Sequence, residues 1–156
     1  MPLGGAEGVL LSMGGNDGGI SFYAQDGKLC YVHNYVGMNY YYVKSEKTIP
    51  NGRHFLSMEF EPTGKPDLAN GKGAPGSVKL LVDGKEIGRG DIPVTAPFRL
   101  GQGAAMLVGA DAGTPVTPEY TPPFRFTGTL KRVIVDVSGE QVEDYEAAMR
   151  IALAKQ

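Results

Sequence analysis

The chain has very few of the residues that cross-link small proteins or bind metals in them. Among its 156 residues are one cysteine, two histidines and no tryptophan. Because a disulfide needs two cysteines, the single Cys30 excludes a disulfide framework within the chain. His33 and His54 are too few for a histidine-rich metal site. We therefore expect no metal site and no cofactor.

Strong charge of one sign and long apolar runs are also missing. The 15 basic and 17 acidic residues give a formal net charge of −2. Nucleic-acid binding needs clustered Lys and Arg, so we expect no nucleic-acid partner. No segment approaches the roughly 18 consecutive apolar residues of a membrane helix, and the first residues lack the basic and apolar regions of a signal peptide. We expect a soluble protein without a membrane partner, located in the cytoplasm if the chain is expressed as written.

Glycine and proline, by contrast, are abundant. The 23 glycines and 11 prolines show no regular period, which indicates many tight turns and favours an all-β fold. Asp26-Gly27 and Asp83-Gly84 each join two alternating segments, and this pattern predicts a β-hairpin because both central residues of a type I′ turn need a positive φ. We predict strands at residues 8–13, 20–25, 28–35, 40–43, 54–61, 77–82, 85–90, 98–100, 106–108 and 124–137, with loops at 14–19, 62–76 and 111–123.

A two-sheet antiparallel sandwich accommodates this number of short strands. We assign it residues 1–137 and predict no linker that would divide the chain. The last segment, 138–156, differs in character, because Ser138 and Gln141 fit a capping box and apolar residues follow at helical spacing. We predict one C-terminal α-helix there, packed on the same domain.

Motifs of known catalytic chemistry are scarce. The chain has neither a phosphate-binding Gly-x-x-x-x-Gly-Lys-Ser/Thr loop nor a Gly-x-Ser-x-Gly nucleophile turn. Cys30 and His33 lie three residues apart on one predicted strand, so their side chains should point to opposite faces. We interpret Cys30 as a small core hydrophobe. We interpret His54, which shares a strand face with three apolar residues, as a half-exposed structural histidine.

Acidic residues leave two alternatives open. Glu59 and Glu61 alternate with apolar residues, a pattern typical of a solvent-facing strand surface, yet the same spacing would give one sandwich face the two acids that some sandwich glycosidases use. Asp17 and Asp111 lie in glycine-rich loops, where aspartate usually forms turns and calcium ligation is the alternative.

Tyrosines and asparagines form the most informative cluster. Asn39 begins an Asn-Tyr-Tyr-Tyr run, and Asn34 and Tyr35 precede it closely. Aromatic faces flanked by amides are suited to gripping sugar rings, while tyrosine also packs in cores and at their rims. If Tyr40 and Tyr42 face outward, alternation buries the tyrosine between them. The candidate ligand-binding residues are Asn34, Asn39, Tyr40 and Tyr42, and packing in the core or rim is the alternative.

Several segments together resemble the C-terminal region of bacterial arylsulfatases. They are GGNDGGISFY (14–23), LVDGK (81–85), VGADAGTPV (108–116), PFRFTG (123–128) and the alanine-rich end of the chain. The resemblance covers nearly the whole chain. It implies a jelly-roll sandwich of the concanavalin A-like, laminin G-like kind.

The resemblance does not imply sulfatase activity. In that family the catalytic domain lies N-terminal to this region and carries a Cys/Ser-x-Pro-Ser-Arg motif, whereas Cys30 here is followed by Tyr-Val-His-Asn. We therefore expect no enzymatic activity from this chain alone, and a non-catalytic module that binds a glycan or a protein partner. The alternatives are a sandwich-fold glycan-active enzyme using Glu59 and Glu61, and a purely oligomerising interaction domain that associates with itself.

Overall fold

The computed structural model describes residues 6–16, 18–95, 106–112 and 114–134. Within these ranges the chain forms eight strands and one short 3-10 helix, Leu68–Asn70. The strands are β1 (Gly8–Gly15), β2 (Gly18–Gln25), β3 (Lys28–Tyr35), β4 (Asn39–Thr48), β5 (Leu56–Pro62), β6 (Gly76–Val82), β7 (Lys85–Ile92) and β8 (Met106–Val108). The predicted strand at 98–100 and the predicted helix at 138–156 lie outside the described residues.

The strands form two antiparallel sheets, which confirms the predicted all-β class. One sheet has five strands in the order β4-β3-β2-β1-β8, and the other has three in the order β5-β6-β7. Leu29 and Tyr31 of the five-stranded sheet share a core with Leu80 and Ile92 of the three-stranded sheet. The two sheets therefore pack against each other through one face each. Across the described ranges, no helix has the length and apolar character needed to cross a membrane.

The two predicted Asp-Gly hairpins are confirmed. Asp26 and Gly27 have φ values of 54° and 78°, and Asp83 and Gly84 have 52° and 81°. Both pairs thus occupy the left-handed region that a type I′ turn requires, and the strands they join pair as neighbours.

Two sequence predictions of local structure are wrong. The predicted loop at 14–19 is largely strand, because Gly14 and Gly19 pair so closely that a side chain on either would collide with the opposite backbone. The predicted strand at 124–137 is absent over 124–134, where the described chain makes only a bridge between Arg125 and Val9. There the Phe124 carbonyl accepts from β1 while the Phe126 amide donates to Gly109. The described backbone bonds of this segment to β1 and Gly109 are confined to residues 124–127, so it forms a single bridge and not a strand.

The five-stranded sheet is covered on both faces. Alternate residues of β3, such as Cys30 and Val32, point away from the three-stranded sheet and pack against Val116 and Tyr120. The segment 114–124 therefore lies over the second face of the sheet, which is the face that carries the candidate site.

Candidate functional site

Three side chains form a row along the outer face of β4, the edge strand of the five-stranded sheet. Tyr40, Tyr42 and Lys44 alternate along the strand and so share one face. The two tyrosine rings lie in nearly parallel planes, with an interplanar angle of 23° and a centroid distance of 6.4 Å. The Lys44 ammonium lies 5.6 Å from the Tyr42 ring centroid, within cation–π range. The row is half-buried at the tyrosines and exposed at the lysine.

The covering segment supplies polar partners for this row. The Tyr42 hydroxyl lies 2.7 Å from the Thr117 Oγ1 atom. Lys44 Nζ donates to the Glu119 carboxylate at 3.0 Å, in an ion pair whose side chains are 46% and 32% exposed. Since both partners remain accessible, the pair offers a donor and an acceptor to solvent beside the Tyr42 ring.

A buried hydrogen-bond network holds the covering segment in place. Asp111 is fully buried, and its Oδ2 accepts from the Val116 amide at 3.0 Å. The Tyr120 hydroxyl lies 2.5 Å from that same oxygen and 2.9 Å from Ser21 Oγ. The Tyr120 ring also packs edge-on against Tyr23, with centroids 5.2 Å apart. These contacts connect Asp111 to Val116 and Tyr120, while Asp17 lies outside the described residues.

Asn34 lies in the buried interior behind the row, in what we call the framework: the hydrogen-bonded backbone of β1, the covering segment and the β3–β4 turn. It is fully buried, and its amide nitrogen lies within 3.1 Å of the carbonyl oxygens of Gly15, Asn16 and Val116. Its Oδ1 accepts from the Gly37 amide at 2.8 Å. Asn34 thus joins β1, the covering segment and the β3–β4 turn, and its polar atoms are already engaged.

The other residues around the row are divided between the two faces of β4. Asn39 is exposed at the start of the strand, opposite Tyr35 in the pairing register. Tyr41 points to the core face, where it packs half-buried against the shared core. The structure therefore brings Tyr40 and Tyr42 together, places Asn39 at the strand end and separates Asn34 from the surface.

Burial and the ion pair determine the protonation states of Tyr42 and Lys44. Burial raises the pKa of the Tyr42 hydroxyl, so that it stays neutral at physiological pH. The hydrogen bond to Glu119 raises the pKa of Lys44, which stays protonated. The row therefore presents a neutral Tyr42 ring beside the Lys44 cation, which is paired with the Glu119 carboxylate.

Sequence reasoning missed three residues of this site. The alternation of Tyr40, Tyr42 and Lys44 along one strand is a signal that places the lysine on the same face. Thr117 and Glu119 come from a proline-containing loop without periodicity, so no local pattern indicates their position.

The other candidates are dispersed. Glu59 and Glu61 are exposed on β5, the edge strand of the three-stranded sheet, opposite Lys79 and Ser77. They line an open surface. Cys30 is buried, and the burial raises the pKa of its thiol to about 11. Within the described residues no group of three or more His, Cys, Asp or Glu side chains is arranged to hold a metal ion.

Comparison with protein-family models, with curated proteins and with solved structures returned no match.

Proposed function

We propose that this chain is a non-catalytic glycan-binding module, a jelly-roll sandwich of the concanavalin A-like, laminin G-like kind related to the C-terminal region of arylsulfatases. The observation that supports it best is the pair of nearly parallel tyrosine rings on β4, beside an accessible ion pair. Sugars present apolar C–H faces together with hydroxyl groups, so a site for them combines aromatic rings with a few fixed polar groups.

Two side chains of the row are held by hydrogen bonds, which favours ligand binding over simple packing. The Tyr42 hydroxyl is held by Thr117, and Lys44 is held by Glu119. Side chains that are fixed before a ligand arrives lose little conformational entropy when it binds. The compensated charge of the ion pair favours neutral sugars, because an acidic glycan would have to compete with Glu119 for Lys44.

The absence of enzymatic activity is part of the proposal. Glu59 and Glu61 lie on an exposed strand face where water has free access, whereas glycoside hydrolysis needs its two carboxylates on either side of a bound sugar. Cys30, the one possible thiol nucleophile, is buried and lies on the opposite strand face from His33.

Affinity electrophoresis tests the proposal. The protein would be run through native gels containing neutral polysaccharides, with dextran, xylan, mannan and a soluble cellulose derivative as separate probes. We expect retardation by at least one probe, weakened about tenfold or more by Tyr40→Ala and by Tyr42→Ala.

A matched control is available on the other sheet. Phe55 is an aromatic residue that is 58% exposed, and it lies just before β5. Phe55→Ala should leave retardation unchanged, and thermal melts should show that all variants are folded. Absence of retardation by every probe, or equal weakening by Phe55→Ala, would count against the proposal.

A further inference from the structure

A second cluster of polar groups lies where the segment before β5 meets the β6–β7 turn. Asp83 Oδ1 accepts from the Phe55 amide at 2.9 Å, and the Asp83 amide donates to the Phe55 carbonyl at 2.8 Å. Asp83 Oδ2 lies 2.6 Å from His54 Nδ1, and His54 Nε2 lies 2.8 Å from the Asn51 carbonyl oxygen. Both nitrogens of one imidazole ring are therefore engaged.

The identity of these partners fixes the protonation state of the ring. A backbone carbonyl and an ionised carboxylate accept hydrogen bonds and cannot donate them. Both His54 nitrogens must then carry a proton, which is true only of the imidazolium form. Neutral histidine has one N–H and would leave one of the two contacts as a repulsion between lone pairs.

We propose that His54, Asp83 and the Asn51 carbonyl form a pH-sensitive latch that fastens the segment before β5 to the β6–β7 turn and opens when the imidazolium loses its proton. The latch controls the backbone of Phe55, whose ring is largely in solvent. When the latch is closed, it holds this exposed aromatic residue in one position.

The electrostatic surroundings agree with this geometry. The hydrogen bonds that His54 donates to Asp83, and then to the Asn51 carbonyl, raise the pKa of its ring. The Phe55 amide and then His54 lower the pKa of Asp83. Arg53 precedes His54 in the chain, and Lys47 and Lys85 line with Asp83 a depression of about 400 Å³. Solvent and salt screen the charges of these exposed side chains more strongly than they screen the direct contacts of His54.

The directions of the two pKa changes define the pH range of the latch. A raised histidine pKa means that its stabilisation is complete below the ordinary value of about 6.5 and is lost as the pH rises through the folded-state pKa. A lowered aspartate pKa means that the contribution of Asp83 is lost only as the pH falls through that depressed value. The latch is therefore closed in mildly acidic solution and opens on the alkaline side.

NMR can test the latch directly because the chain has only two histidines. The ring signals of His54, assigned with a His54→Gln variant, would be followed over a pH titration. The hydrogen-exchange protection of the Phe55 amide, corrected for the intrinsic pH dependence of exchange, would be measured over the same range. We expect the His54 midpoint to lie above the ordinary value. Phe55 protection should fall as the pH rises through that midpoint, by about tenfold if the midpoint lies one pH unit above the ordinary value.

Two variants separate the latch from a general change in stability. Asp83→Asn removes the charge but keeps a residue that favours a type I′ turn, and it should return the His54 midpoint to the ordinary range. Asp26→Asn makes the same change in the other hairpin and should have no effect. A wild-type midpoint at or below the ordinary value, an unchanged midpoint in Asp83→Asn, or Phe55 protection independent of pH would overturn the proposal.

Discussion

Replacing Asn34 by alanine would remove the amide that joins three parts of the chain. The side-chain nitrogen of Asn34 donates hydrogen bonds to the carbonyls of Gly15 and Val116, which are buried. It also donates to the Asn16 carbonyl, where the contact is partly buried. Its oxygen accepts from the partly buried Gly37 amide. The alanine variant leaves these groups without that partner and introduces none.

The magnitude follows from how many of these groups water cannot reach. Each buried polar group that loses its partner costs about 1–3 kcal/mol. The carbonyls of Gly15 and Val116 are in this position, whereas Asn16 and Gly37 lie nearer the surface and can turn to water. We therefore expect Asn34→Ala to lower the free energy of unfolding by about 2–5 kcal/mol.

Urea unfolding with linear extrapolation measures this loss, and Asn39→Ala is the matched control. Asn39 is the same residue type on the next strand but is exposed, so its replacement should change stability by no more than about 0.5 kcal/mol. If the two variants differ by less than about 1 kcal/mol, the assignment of Asn34 to the framework is wrong. Normal stability combined with a loss of glycan binding would instead make Asn34 a ligand contact.

Three further substitutions or treatments test other parts of the structure. A Cβ atom on Gly88 would lie 2.7 Å from Ser45 Cα, so Gly88→Ala should cost about 1–3 kcal/mol in urea unfolding, and a neutral result would contradict the close approach of β7 to β4. Val36 has a φ of 46°, a backbone conformation that strains a β-branched residue. Val36→Asn should therefore raise the free energy of unfolding by about 1 kcal/mol in thermal melts, and a loss of stability would refute the strain. Burial raises the pKa of the Cys30 thiol to about 11. A disulfide reagent near pH 8 should therefore label the native protein far more slowly than the urea-unfolded protein, and equal labelling rates would contradict this burial.

The parts of the fold that the sequence predicts well are those set by neighbouring residues, through turn-forming pairs and apolar alternation. The segment 28–35 was predicted as a strand and is β3, Lys28–Tyr35, because its bounds depend on an adjacent Asp-Gly turn and on alternation. The segment 124–134 was predicted wrongly because its backbone partners, on β1 and at Gly109, are distant in the chain. A segment with apolar alternation becomes a strand only if a neighbouring strand is available along its whole length.

The candidate site also combines features set by local sequence with features set by residues that are distant in the chain. Alternation along β4 is local, so it predicts that Tyr40 and Tyr42 share a face, and their rings do lie side by side. The framework position of Asn34 depends on Val116, a hydrogen-bond partner 82 residues away along the chain. No local pattern contains that contact, and an asparagine near a tyrosine cluster looks the same whether it binds a ligand or the backbone.

Chemical-shift mapping can locate a bound glycan on the protein surface. Amide chemical shifts of ¹⁵N-labelled protein would be recorded during titration with a soluble oligosaccharide prepared from whichever polysaccharide retards it in gels. If the glycan binds at the tyrosine row, the shifts that change should be confined to β4 at 40–44 and to the covering segment at 117–120. Changes centred on Glu59 and Glu61, or no change at saturating sugar, would contradict it.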